Sequence, residues 1–404
     1  MNYKSRNYNI DPYLYLLFIL AFLIAIPGLY CGLTDKHVLP QLGAVIFGIA
    51  VFGAAFILSW AAEAAQIDIS ESLAIAILAL IAVLPEYAVD FVFTWKAAHD
   101  PSQAHYAIAN MTGANRLLVG IGWPAVLLIY ILAKKKKCII LEKKHRVEVF
   151  YLAMATLYSF TIPLKGSLNL IDTVILVTLF AMYTRRAAKL ESEEPDFVGP
   201  VKIIANMSKI SRRIVTIICF LFSGVVIFFV AEPFAVSLVE TGKTLGINEF
   251  LLIQWLAPIA SEAPEFIVAA TWAMRGAASS ALNALISSKV NQWTLLVGTI
   301  PLVFAISSGV VWRPFVLDQF QDHELFLTAA QSLFAVAVLV NLKLDRLDGG
   351  LLLILFLAQF FVDKIRLEVT VVYVALAIIF HILHRNSLIP AARTALNFKN
   401  HGED

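Results

Sequence analysis

The chain alternates long apolar runs with short polar breaks from end to end. Twelve runs approach the roughly 20 apolar residues that a spanning helix needs: 13–33, 40–64, 72–95, 104–132, 148–164, 169–184, 214–239, 249–274, 279–312, 324–342, 349–363 and 367–384. The runs 148–164 and 349–363 are short, and 279–312 is long enough to be broken inside. The breaks carry most of the charge. Assigning them alternately to two sides puts 22 Lys and Arg on one side and 7 on the other, with Arg116 and Lys289 inside runs. Because positive loops stay cytoplasmic, both termini are expected in the cytoplasm of a multi-pass protein of the cell (inner) membrane. The first run has no small-residue cleavage pattern at its end, so it reads as a retained helix.

Composition sharpens this into an all-α polytopic membrane protein. Of 404 residues, 60% are hydrophobic and only 15% charged, against about 25% charged in soluble domains. The lipid bilayer is therefore an expected partner. A net charge of +2 gives no general attraction to nucleic acid. Cys31, Cys138 and Cys219 are too far apart to suggest a disulfide framework or a zinc site. No nucleophile–base pair or metal cluster points to an enzyme, and no cofactor is expected. The polar stretch 187–213 reads as a cytoplasmic connector between two membrane halves. Oligomeric state is not encoded in any pattern here.

Two short stretches break the apolar monotony. VLPEYAVDF at 83–91 and EAPEFIVAA at 262–270 each put a proline beside a glutamate inside a spanning run. They lie five runs apart in the chain, and an odd offset inverts their direction. Each is followed by a run with amide and small residues, AIANMTGANRLLVG at 107–120 and ALNALISSKVNQWTLLVG at 281–298, and then by Pro124 or Pro301. Glu86 lies 31 residues before Leu117 and Glu265 lies 30 before Leu295. This is an internal repeat in inverted topology, a layout common in secondary transporters. The expected organisation is an N-terminal segment with an extra helix (1–39), a first repeat (40–186), the connector (187–213), a second repeat (214–363), and a further helix with a tail (364–404). Two inverted five-helix repeats plus about two extra transmembrane helices result.

The residue types suit cations. Proline denies its helix one amide donor, so Pro85 should release the carbonyl near Ile81 and Pro264 the one near Ala260. Carbonyls within a bilayer need another partner, and hard cations take oxygen ligands, six to eight for Ca²⁺. Glu86 and Glu265 supply negative charge. Asp90 and Glu262 lie one turn away on the same helical faces. Asn110 and Asn115 in the first repeat, with Asn283, Ser287, Ser288 and Asn291 in the second, supply further oxygens. Ionisable groups at this depth are costly and usually functional. The competing reading is an internal network in which Arg116 and Lys289 neutralise Asp90 and Glu262. Small and amide residues also serve helix packing.

At these residues the sequence resembles the sodium/calcium exchanger superfamily, as a divergent member. IAVLPE (81–86) and ASEAPE (260–265) are similar to its proline–glutamate motif, and NMTGAN (110–115) and NALISSKVN (283–291) to its asparagine motif. The resemblance implies ten helices in two inverted fives, Glu86 and Glu265 as the central carboxylates, and Ser261, Ser287 and Asn291 as ligands. Direct alignment puts Leu118 at the last asparagine of the first motif, whereas a shifted one equates Asn115 with Asn291. Ala82 and Val83 replace hydroxyls, Ala114 replaces a serine, and Glu262 stands where the family has a serine. Arg116 and Lys289 follow the motifs at matching positions. They either replace a bound cation or neutralise the extra acids. The implied function is alternating-access antiport, Ca²⁺ exchanged for Na⁺ or H⁺. The alternative is a sodium-independent or proton-coupled exchanger of another cation. Inorganic cations are the expected substrates.

Overall fold

The computed structural model describes residues 10–36, 38–68, 84–189 and 197–385. In chain order its main helices are α1 (Pro12–Leu33), α2 (Pro40–Ala65), α3 (Leu84–Ala97), α4 (Ala104–Leu117), α5 (Trp123–Lys134), α6 (Arg146–Ser159), α7 (Leu170–Ala187), α8 (Lys209–Leu245), α9 (Glu249–Arg275), α10 (Ala278–Asn291), α11 (Val297–Ser308), α12 (Gln319–Leu339), α13 (Arg346–Phe361) and α14 (Arg366–Leu383). Short π-helical turns, Leu118–Gly122 and Gln292–Leu296, join α4 to α5 and α10 to α11. Among the described residues every apolar run of the sequence is thus helical. Among the described residues, eight helical stretches are long and apolar enough to cross a membrane. The first part of the run 72–95, with Ile81, Ala82 and Val83, lies outside the described residues.

Local chemistry sets many of the starts. Pro12 and Pro40 occupy the first turns of α1 and α2, where a missing N–H costs nothing. The helices α7, α12 and α13 each begin with a reciprocal capping box: Asn169 with Asp172, Asp318 with Gln321, and Asp345 with Asp348. Each box satisfies two backbone donors that the first turn would leave orphaned. The run 279–312 is not broken; a π turn widens its helix without interrupting it.

The chain divides into two compact units. The first comprises Met1–Ala114, Glu191–Val268 and Val303–Val311. Its core packs α1, α2 and α8 around Ala21, Ile57, Trp60, Ala61, Ala64 and Cys219, and the short helix Val201–Ala205 adds Val201 and Ile204. Small residues bring these helices close: a side chain at Gly28 would run into Ala50. At one end Asp68 accepts hydrogen bonds from Arg212 (2.7 and 3.1 Å) and Arg213 (3.2 Å). The outward faces carry Leu16, Leu23 and Phe228, the last 77% exposed, as lipid-facing helices require.

The second unit comprises Asn115–Leu190, Ala269–Leu302 and Trp312–Asp404. Two small antiparallel ladders tie its loops: β1 (Cys138–Ile140) pairs with β4 (Lys343–Asp345), and β2 (Ser167–Leu168) with β3 (Phe315–Val316). The alternation of polar breaks puts 133–147 and 343–346 on one side and Lys165 and Arg313 on the other, so each ladder joins loops assigned to the same side.

Candidate functional site

In the first unit, α3 carries Glu86 and Asp90 one turn apart, both buried. Asp90 reaches α4: the Asn110 side-chain amide donates to its Oδ1 at 2.8 Å. Asn110, expected as a cation ligand, is therefore held by the neighbouring acid. Asp90 Oδ2 and Asn110 Oδ1 are buried and take no hydrogen bond among the described residues. That leaves buried acceptor oxygens from two helices, an arrangement that suits a cation or a proton.

The second proline–glutamate stretch lies on α9, which runs unbroken through Pro258 and Pro264. Ser261 is buried, and its hydroxyl donates back to the carbonyls of Ala257 (3.1 Å) and Pro258 (3.3 Å). Glu262 is buried; Glu265 is half-buried. Pro258, which the motif reading passed over, matters as much as Pro264. It cannot donate to the carbonyl of Gln254 one turn earlier. Gly113 lies against that carbonyl, and a Cβ there would collide with it. The lack of a side chain at Gly113 lets the two backbones approach closely here. The contact is reinforced by Gln254 Nε2, which donates to the Thr112 hydroxyl at 3.2 Å.

In the second unit, Asn115, Ser288 and Asn291 are buried, while Asn283 and Ser287 are half-buried. Ser287 shares a hydrogen bond with the Tyr183 hydroxyl of α7. Asn283 Oδ1 and Ser288 Oγ take none among the described residues. The two cations that follow the motifs have separate fates. Arg116 is wholly buried. Its guanidinium binds the Glu324 carboxylate of α12 and donates to Gln359 Oε1 of α13 at 3.0 Å. Glu324 also accepts from Arg366, at the start of α14, at 2.5 Å. Arg116 is thus paired with Glu324, an acid outside the motifs. Lys289 is also wholly buried. Its ammonium donates to the backbone carbonyl of Asn115 at 2.6 Å and lies 5.6 Å from the Trp293 ring centroid. Glu324 and Arg366 escaped the motif reading because they sit in polar breaks at the edges of apolar runs, and Gln359 because it is an isolated amide within one.

The sequence model for the family described as sodium/calcium exchanger protein matches residues 39–187 and 215–362. The chain belongs to the sodium/calcium exchanger family. The family is one of transporters, not enzymes. Among solved structures, one described as the H⁺/Ca²⁺ exchanger CAX is 40% identical, with a TM-score of 0.91, covering 95% of this chain and 98% of that one. The Ca²⁺/H⁺ antiporter YfkE is 14% identical, with a TM-score of 0.60, covering 92% of this chain and 100% of that one. The sodium-calcium exchanger NCX_Mj is 17% identical, with a TM-score of 0.50, covering 85% of this chain and 98% of that one. The last two likenesses concern the fold. No curated protein sequence matches the chain.

Proposed function

We propose that this member of the sodium/calcium exchanger family is a secondary active antiporter that exchanges Ca²⁺ for H⁺ by alternating access. The observation that carries the proposal is its similarity, over nearly the whole chain, to a solved H⁺/Ca²⁺ exchanger. Glu86 and Glu265 are the proposed carboxylates for the cation, and protons compete for the same oxygens. Two carboxylates match a divalent charge, and the Ser261 hydroxyl adds a neutral oxygen of the kind hard cations accept. Asn110, held by Asp90, keeps one acid oriented. Asn115, Asn283, Ser287, Ser288 and Asn291 are proposed as further oxygen donors in the exchange cycle. Both termini are proposed to lie in the cytoplasm.

The test is Ca²⁺ flux in proteoliposomes under imposed pH, Na⁺ or K⁺ gradients, varied one at a time. A pH gradient is expected to drive Ca²⁺ movement, and Glu86→Gln and Glu265→Gln to abolish it while still inserting in the membrane. Unimpaired exchange in both variants would remove the carboxylate assignment. Flux that follows only the Na⁺ gradient would replace H⁺ with Na⁺ as the counter-ion.

A further inference from the structure

We propose that Ser332 and Gln331 of α12 are positioning residues of the exchange site: they hold the ends of the two asparagine motifs in one register, so that the motif oxygens are set for a cation. This rests on the reading that those oxygens bind cations. All the residues concerned belong to the second unit. Along α12, Glu324, Thr328, Gln331 and Ser332 recur at the spacing of one helical face, and all four are buried. Polar groups at this depth are costly, so they call for partners. Ser332 spends its own proton on the Thr328 carbonyl of the same helix, at 2.8 Å, and accepts the indole Nε1 proton of Trp293, also at 2.8 Å. Trp293 follows Asn291 of the second motif by two residues. Gln331 Nε2 donates to the backbone carbonyl of Arg116 at 3.4 Å, and Glu324 binds the guanidinium of the same arginine. Arg116 stands next to Asn115 of the first motif.

Three observations favour this role over plain helix packing. First, the anchors fall beside the two π turns. Arg116 lies just before Leu118–Gly122, and Trp293 lies within Gln292–Leu296. Such turns often mark functional sites, and here both are pinned to one neighbouring helix. Second, the contacts close a ring. From α12 they run through Ser332 to Trp293, whose ring centroid is 5.6 Å from the Lys289 ammonium. Lys289 then donates to the Asn115 carbonyl at 2.6 Å, and Arg116 leads back to α12 through Gln331. A closed ring fixes the two motif segments relative to each other, which a single contact cannot do. Third, packing alone needs neither a hydroxyl nor an amide: Ala329, Ala330 and Ala335 fill buried positions on the same helix. Oxygens held in place beforehand need not be ordered by the arriving ion, so less of its binding energy goes into ordering them. Loosening an anchor should therefore weaken cation binding while leaving the oxygens themselves in the chain.

The experiment measures flux in proteoliposomes against Ca²⁺ concentration, under the gradient that drives the wild-type chain. The full-length variants are Ser332→Ala, Ser332→Thr, Gln331→Leu, Trp293→Phe, the double variant Ser332→Ala/Trp293→Phe, and Glu86→Gln. Thermal unfolding in detergent is recorded alongside. Loss of one hydrogen bond is expected to raise the half-saturating Ca²⁺ concentration roughly three- to tenfold in Ser332→Ala, Gln331→Leu and Trp293→Phe. Ser332→Thr keeps the hydroxyl and should keep the wild-type value. The double variant should be no worse than the poorer single one, because both substitutions remove the same bond. A purely structural role would instead lower the unfolding temperature and the maximal flux and leave half-saturation unchanged. That result overturns the proposal. So does a double variant whose shifts multiply, a Ser332→Thr chain as weak as Ser332→Ala, or a Ser332→Ala chain that does not fold. If Glu86→Gln leaves flux intact, the cation-site reading itself falls. If Glu86→Gln is dead and the α12 variants keep wild-type half-saturation, only this inference does.

Discussion

Replacing Glu324 with glutamine tests the strongest electrostatic feature of the second unit. The carboxylate is 1% exposed and is shared by Arg116, 0% exposed, and Arg366, 10% exposed. Glutamine keeps the shape and one acceptor oxygen but removes the only negative charge among these three side chains. Two buried guanidiniums then face each other across a neutral amide. Each lost charge-assisted hydrogen bond is worth about 1.5–3 kcal/mol, and breaking a buried ion pair by removing one partner costs about 3–5 kcal/mol. The two figures overlap in what they count, so about 3–5 kcal/mol is the expected loss. For a chain of this length a kilocalorie moves the midpoint by about 1–2 °C, giving a fall of roughly 3–10 °C. The assay is thermal unfolding of purified protein in detergent, followed by tryptophan fluorescence. Arg116→Met is the control: it leaves Glu324 and Arg366 as a one-to-one pair, so its cost should be the smaller despite the larger side chain removed. A Glu324→Gln midpoint within 1 °C of wild type, or a larger loss in Arg116→Met, would refute the reasoning.

The remaining predictions use the same assay. Glu232→Gln breaks the 2.7 Å pair with Lys96, but these side chains are 61% and 33% exposed, so the loss should stay within about 0–1 kcal/mol and shrink further in high salt. Gly113→Ala pushes a methyl into the Gln254 carbonyl; overpacking of this kind costs about 1–3 kcal/mol and should lower the midpoint, whereas wild-type stability would show that α4 shifts freely. Asp68 is held below its ordinary value of 3.8, chiefly by its hydrogen bonds to Arg212. A depressed carboxylate stabilises the fold above its unfolded pKa and loses that contribution as pH falls through the folded one. Asp68→Asn should therefore cost the same stability at neutral pH as at about pH 5, and the difference should fade only below about pH 3.8; a difference that vanished between neutral pH and pH 5 would contradict this sign.

Helix positions were legible because lipid imposes one requirement on every spanning segment. The run 40–64 became Pro40–Ala65, and 249–274 became Glu249–Arg275. The ends were less legible where polar residues remain helical. The run 214–239 extends to Lys209–Leu245, starting at the Ser208 cap and stopping at Gly246, whose φ of 65° ends the helix. Apolarity marks what touches lipid, whereas caps mark where a helix ends. The π turns left no trace in the apolar pattern. They carry tertiary contacts instead, such as the Trp293 Nε1 hydrogen bond to Ser332 Oγ at 2.8 Å and the Phe356 ring lying against Gly120. The paired strands are only two or three residues long and carry no alternation to detect.

The candidate site was legible as residue types and illegible as pairings, and the two motif cations show why. A repeat makes Arg116 and Lys289 look interchangeable, because position within a motif is all that a sequence displays. Their partners are set by what each helix meets after folding. Arg116 binds a carboxylate 208 residues away, on α12, which a third charge from α14 also reaches. Guanidinium is suited to this, since its fork of donors can serve Glu324 and Gln359 together. Lysine ends in a compact point charge, which suits a single carbonyl, and Lys289 finds one in the other motif. Exchanging the two residue types should therefore fail at both places. Lysine at 116 reaches too few acceptors to serve both Glu324 and Gln359. Arginine at 289 keeps the charge but must fit a larger, planar head beside Trp293. Similar motifs thus carry a cation at matching positions, and different surroundings make one a clamp between helices and set the other on the Asn115 carbonyl.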